Sequence, residues 1–215
     1  RVGGRQNLDR LRVQGIQVEL ATDHHAASED PCSGAEPPIG RAGEAVVYGK
    51  VAARLNPKDS LNQTNLCLAL AHLDRLPEAE LRCRTALQLN PTSAAAHANL
   101  GAVLGAQGAI MEATLQYREA LNFSPESADF LGALGVLLGR QGHFHEAAAA
   151  FESAIRQKPH SSELHNNLGF AREGQGRIAD AIEHYQEALR LNPVNQQASM
   201  NLQNALAGRR RTPTR

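Results

Sequence analysis

Reactive side chains are few in this chain, and their spacing is poor for chemistry. The densest group is His143, His145 and Glu146, in the run HFHE. Two imidazoles and a carboxylate are ligands that zinc accepts. No third histidine lies nearby in sequence, and the run falls in a surface turn between helical patterns, so no metal is expected. His24 and His25 sit in a polar stretch and read as solvated. The three cysteines, Cys32, Cys67 and Cys83, show neither a disulfide framework nor a zinc signature. Their odd count leans toward a reducing, cytoplasmic compartment. Cys67 and Cys83 read as buried thiols acting as small apolar groups, with a disulfide between them only if the helix spacing permits it. No phosphate-binding glycine loop, nucleophile elbow or metalloprotease helix is present. The expectation is a chain with no catalytic residues, no cofactor and no enzyme activity of its own.

With so little chemistry, the elements themselves carry the information. Hydrophobic residues make up 42% of the 215, aromatics only 4%, and there is no tryptophan. Alanine and leucine dominate, which favours helices over a sheet core rich in β-branched and aromatic residues. No apolar run approaches the roughly 18–20 residues that cross a bilayer. The formal net charge is +0. Residues 60–207 are mildly acidic, and residues 208–215 carry Arg209, Arg210, Arg211 and Arg215 without an acid. Nucleic-acid binding usually needs a basic face, so none is expected, and the tail reads as a disordered basic end.

Internal repetition is the main signal. Pro57, Pro91, Pro125, Pro159 and Pro193 are each 34 residues apart. Other columns run in phase: Leu66, Leu100, Leu134, Leu168 and Leu202; Cys67, Gly101, Gly135 and Gly169; Cys83, Tyr117, Phe151 and Tyr185. Alanine columns begin at Ala45 and at Ala52 and recur through Ala181 and Ala188. Small residues let two antiparallel helices approach, and the aromatic column fills the gap beside them. Gly108, Gly142 and Gly176 end a first helix, and each proline closes a second. First helices are expected near 60–73, 94–107, 128–141 and 162–175. Second helices are expected near 77–90, 110–122, 144–157 and 178–190. Residues 41–55 fit a lone second helix, and 196–207 a terminal helix with a polar outer face (Gln197, Gln203, Asn204) that caps the array. Residues 1–40 are expected to be poorly ordered. They hold only a weak apolar pattern from Leu8 to Leu20, then a polar run with Pro31, Pro37 and Pro38.

These columns resemble the tetratricopeptide repeat family. The unit HANLGAVLGAQGAIMEATLQYREALNFSP, from His97 to Pro125, matches its pattern best, and the likeness covers about residues 41–207. The family's leading tryptophan is replaced by Gln63, His97, Leu131 and His165. The resemblance implies an all-α fold, a right-handed superhelical solenoid of αα-hairpins with about four full repeats, a half repeat and a capping helix. It also implies a protein-interaction scaffold whose first helices line a concave face that holds an extended peptide or a partner helix.

On that face one column stands out: Asn65, Asn99, Ala133, Asn167 and Asn201. Asparagine offers both a donor and an acceptor, so such a row can bind an extended peptide backbone. It is similar to the asparagine ladder of the O-linked N-acetylglucosaminyltransferase superhelix. The same residues also suit a framework role. Asn166 and Arg140 join the candidate peptide-binding set, beside small or neutral positions such as Leu68, Ala102, Val136 and Phe170. The Lys and Arg clamp of the chaperone-binding members is absent, since the first helices of the full units hold only Arg140 and Arg172. A neutral or mildly basic extended ligand fits better. An alternative is that the chain is the substrate-recruiting repeat region of a larger enzyme such as a glycosyltransferase.

Overall fold

The computed structural model describes residues 8–13, 16–21 and 41–211, with side chains for residues 43–208. Cys32, His24 and His25 lie outside the described residues, as do most of the polar run that contains them and residues 212–215. Within the stretch expected to be poorly ordered, β1 (Leu8–Val13) and β2 (Ile16–Ala21) form an antiparallel ribbon, with Leu11 opposite Val18. All other described elements are helical. A lone helix, α1 (Arg41–Leu55), precedes four hairpins. These are α2 (Ser60–His72) with α3 (Leu76–Leu89), and α4 (Ala94–Ala106) with α5 (Ile110–Phe123). Then come α6 (Ala128–Arg140) with α7 (Phe144–Gln157), and α8 (Ser162–Gly174) with α9 (Ile178–Leu191). The terminal helix α10 (Gln196–Arg211) runs on past Ala207. The all-α solenoid of hairpins is therefore present in the expected register.

Local chemistry fixes each boundary. Every first helix opens on a capping side chain in one repeat position. Asp59, Ser93, Ser127 and Ser161 accept from Leu61, Ala96, Phe130 and Leu164 backbone N–H groups. Asn195 does the same for Ala198 at 3.0 Å. Each cap satisfies one of the amides that a helix start leaves unpaired. First helices end in a left-handed residue: Gly108, Gly142 and Gly176 have φ of 84°, 78° and 79°. Asp74 takes this position in the first hairpin at φ 57°, a conformation that aspartate tolerates better than most residues.

Within a hairpin the glycine column meets the aromatic column. A Cβ on Gly101 would lie 2.8 Å from the Tyr117 ring, and one on Gly135 or Gly169 would lie 2.6 Å from the Phe151 or Tyr185 ring. The second-helix alanines beside these rings, Ala79, Ala113, Ala147 and Ala181, are fully buried. So are Ala86, Ala120, Ala154 and Ala188. In the first hairpin the same two positions hold Cys67 and Cys83, and here the expectation of separate thiols is corrected. They form a disulfide, with Cα atoms 5.3 Å apart. The cause is the frame itself. The two columns face each other at closest approach, so two cysteines placed in them bring their sulfurs together. The bond also removes the support that the cysteine count lent to a reducing compartment.

Candidate functional site

The hairpins stack so that first helices touch one another. α2 meets α4, α4 meets α6, α6 meets α8, and α8 meets α10, whereas the second helices make no comparable contacts with each other. The first helices thus form one continuous wall.

Every asparagine of the expected column lies half-buried on this wall. They do not behave alike. At the C-terminal end, Asn201 Nδ2 donates to Asn166 Oδ1 at 2.9 Å, and Gln197 Nε2 donates to Asn201 Oδ1 at 3.0 Å. Asn166 Nδ2 in turn donates to Asn167 Oδ1 at 3.3 Å. Three of the expected site residues, Asn166, Asn167 and Asn201, are therefore linked, and Asn166 is buried. At the N-terminal end the amides are less engaged in hydrogen bonds. Asn99 Nδ2 makes only a long 3.5 Å contact to the Thr64 carbonyl. Asn65 Nδ2 is shielded from solvent and has no hydrogen-bond partner among the described residues. Ala133 interrupts the row, and Arg140 is exposed in the last turn of α6.

A second column runs beside the first, and it is apolar. Leu68 (43% exposed), Val136 (42%) and Phe170 (49%) occupy the same repeat position, with exposed Ala102 between them. Three large hydrophobic side chains in one register on one wall form an organised strip rather than scattered surface residues. Small residues on the same helices, Ala98, Gly105, Gly132 and Gly139, add little side-chain bulk. Charge is sparse there. Asp129 is paired with Lys158 at 2.6 Å, and Glu173 accepts from Tyr185 Oη at 2.7 Å. Burial and the neighbouring Glu173 push the Tyr185 phenol far above its usual range, so it remains a donor.

Histidines on this array do structural work. His97 contacts the Pro91 carbonyl through Nε2 at 2.9 Å and Gln116 Oε1 through Nδ1 at 2.8 Å. His165 contacts the Pro159 carbonyl at 3.1 Å. Both tie the start of a first helix to the turn before it. His143 pairs with Glu146 at 3.2 Å, and no group of three or more metal-ligating side chains occurs among the described residues. No described helix is long and apolar enough to cross a membrane.

The sequence reading passed over a buried polar run at the start of α2. Asn62, Gln63 and Thr64 are all buried. Asn62 Nδ2 donates to the Ala52 carbonyl at 3.4 Å and Thr64 Oγ1 to the Ser60 carbonyl at 2.9 Å, while Asn62 Oδ1 and Gln63 Oε1 lack partners among the described residues. The available signal was the column: Asn62 stands where Ala96, Phe130, Leu164 and Ala198 fill the core.

A sequence profile described as tetratricopeptide repeat matches residues 133–195 and 170–213. No curated protein matches the chain. Among solved structures, the chain is similar to YrrB, described as a TPR protein with an unusual peptide-binding site. The identity is 20%, the TM-score 0.69, and the match covers 79% of this chain and 87% of that one. It is similar to MamA at 22% identity and TM-score 0.64, over 72% of this chain and 84% of that one. The match to Pseudomonas aeruginosa pilF has 25% identity and TM-score 0.64, over 77% and 71%. At these identities the likeness is one of fold.

Proposed function

We propose that this chain, whose fold and C-terminal repeats match tetratricopeptide repeat proteins, is a protein-interaction scaffold that binds an extended polypeptide segment along the wall formed by α2, α4, α6 and α8. The observation that carries this reading is the pairing of two columns. Asn99 presents an under-used amide, and Leu68, Val136 and Phe170 present apolar surface at one-per-repeat intervals. Amides satisfy the backbone of an extended chain, and the apolar strip takes its side chains. The ligand is neutral or mildly basic, since Arg140 is the one exposed cation on these first helices and acidic residues such as Glu163 border the wall. A peptide-binding neighbour of the same fold, YrrB, agrees with this use of the scaffold.

The test uses peptides selected on the full chain from a random library, with affinity then compared across variants. Val136→Glu and Phe170→Glu should weaken binding at least tenfold while leaving helical content unchanged. Selected peptides should be rich in apolar residues. Peptides that bind equally well to both variants would overturn the assignment to this wall.

A further inference from the structure

We propose that copies of this chain associate head to tail, with α10 of one copy docking on α1 of the next to complete a composite hairpin. Within each of the four hairpins, one face of the first helix packs on one face of the second. On the second helix that face is the two alanine columns and the residue between them. In α1 the same frame positions are Ala45, Gly49 and Ala52, and all three remain partly exposed, although their alanine counterparts in the other four second helices are fully buried. On the first helix the face is the leucine column, the glycine column and the position three residues beyond. In α10 these are Leu202, Gln203 and Leu206. Leu202 is partly exposed where Leu66, Leu100, Leu134 and Leu168 are buried. Leu206 is 38% exposed where Leu70, Leu104 and Leu138 are buried. Among the described residues, then, α1 is a second helix without its first, and α10 a first helix without its second.

Sizes on the two faces are exchanged relative to the internal hairpins, with Gly49 itself close against Leu66 of α2, where an added Cβ would lie 3.1 Å away. Inside the array a glycine on the first helix receives an aromatic ring from the second. Across the proposed joint the large residue, Gln203, is on the first helix and the small one, Gly49, on the second. Neither set of three carries a charge.

The unpartnered amide of Asn65 supplies an independent observation. Asn99 reaches back to the Thr64 carbonyl, and Asn201 to Asn166, each on the preceding first helix and each at the same repeat position. Among the described residues Asn65 has neither a preceding first helix nor a partner for its Nδ2, which is already shielded from solvent. An α10 seated on α1 would occupy that place, with Met200 at the repeat position of Thr64 and Asn166. The joint would continue the internal packing of the solenoid. Because each copy gives one end and receives at the other, growth leads to open chains or closed rings.

The test is the mass of the full chain in sedimentation from micromolar to hundreds of micromolar, with two variants. Ala52→Glu blocks α1 and Leu206→Arg blocks α10, with Gln203→Lys as the substitute should Leu206→Arg lose helical signal. The wild-type mass should rise with concentration, each variant alone should stay monomeric, and an equimolar mixture of the two should form a one-to-one dimer and nothing larger. A wild-type chain that is monomeric at every concentration overturns the proposal. An oligomer that persists in both variants also overturns it.

Discussion

Gly135 lies under the ring of Phe151 so closely that a Cβ added to it would sit 2.6 Å from Phe151 Cε1. Ordinary packing does not reach that distance, so the ring, the helix or both must move. Gly135→Ala should cost about 1–3 kcal/mol through overpacking. Gly105 supplies the control. Its added Cβ would meet Leu137 at an ordinary 3.6 Å, and Gly105→Ala should be neutral or stabilise by about 0.5–1 kcal/mol. Thermal or urea midpoints of the two variants check both signs, and equal midpoints would mean that the hairpin contact is misassigned.

The disulfide leads to a second prediction. Cys67 and Cys83 are 16 residues apart and fully buried. Closing a loop of that size stabilises by about 3 kcal/mol in the chain-entropy picture. Adding a reductant under conditions that open the bond should lower the midpoint of the wild-type chain. The double variant Cys67→Gly with Cys83→Tyr restores the pair used in the other hairpins. It should be insensitive to reductant and more stable than the reduced wild-type chain. Melting each protein with and without phosphine reductant measures the difference. A wild-type midpoint unchanged on verified reduction of the bond would count against its stabilising role.

The disulfide also marks where the sequence was legible and where it was not. Periodicity fixed the hairpins because Pro, Gly and Ala each act locally, by ending a helix, turning it or letting a neighbour approach. That is why α2 through α9 fall within a residue or two of the expected bounds. A bond between Cys67 and Cys83 depends on which columns face each other across a hairpin, a pairing that the spacing alone left open. The cap column Asp59, Ser93, Ser127 and Ser161 was readable in the same phase, yet its hydroxyls and carboxylate carry no apolar signal. The asparagine column was visible, but its division into a bonded C-terminal group and a less engaged N-terminal pair was not. That division rests on Gln197 and Asn166, which belong to other columns.

His184 gives a pH dependence. Burial lowers its pKa first, and nearby His165 (rings 5.7 Å apart) and Arg172 lower it further, against opposing effects of Asp180 and Glu183. The folded chain thus resists protonating a ring that the unfolded chain protonates near its usual value of about 6.5. The sign follows from linkage. Above that pH both states are neutral at this site and it has no effect. As pH falls below about 6.5 the unfolded state gains the proton first, so stability drops until the lowered folded value is passed. Midpoints measured from about pH 8 to about pH 5 should fall less steeply in His184→Gln than in the wild-type chain. Parallel curves would remove His184 as a contributor.

The asparagines allow the framework role to be separated from the binding role, residue by residue. Asn201 satisfies Asn166, which is buried and otherwise donates to Asn167. Asn201→Ala strands that acceptor, and an unpaired buried polar group costs about 1–3 kcal/mol. Asn99 makes a single 3.5 Å contact, too long to contribute much. Asn99→Ala should therefore leave the thermal midpoint within error and still weaken a selected peptide several-fold. Asn201→Ala should lower the midpoint, and its effect on affinity should follow the loss of structure in the last hairpin. Calorimetry and peptide titration on the two single variants read both quantities. If Asn99→Ala shifts neither, the N-terminal asparagines are spacers on the wall, and recognition falls to Leu68, Val136 and Phe170 alone.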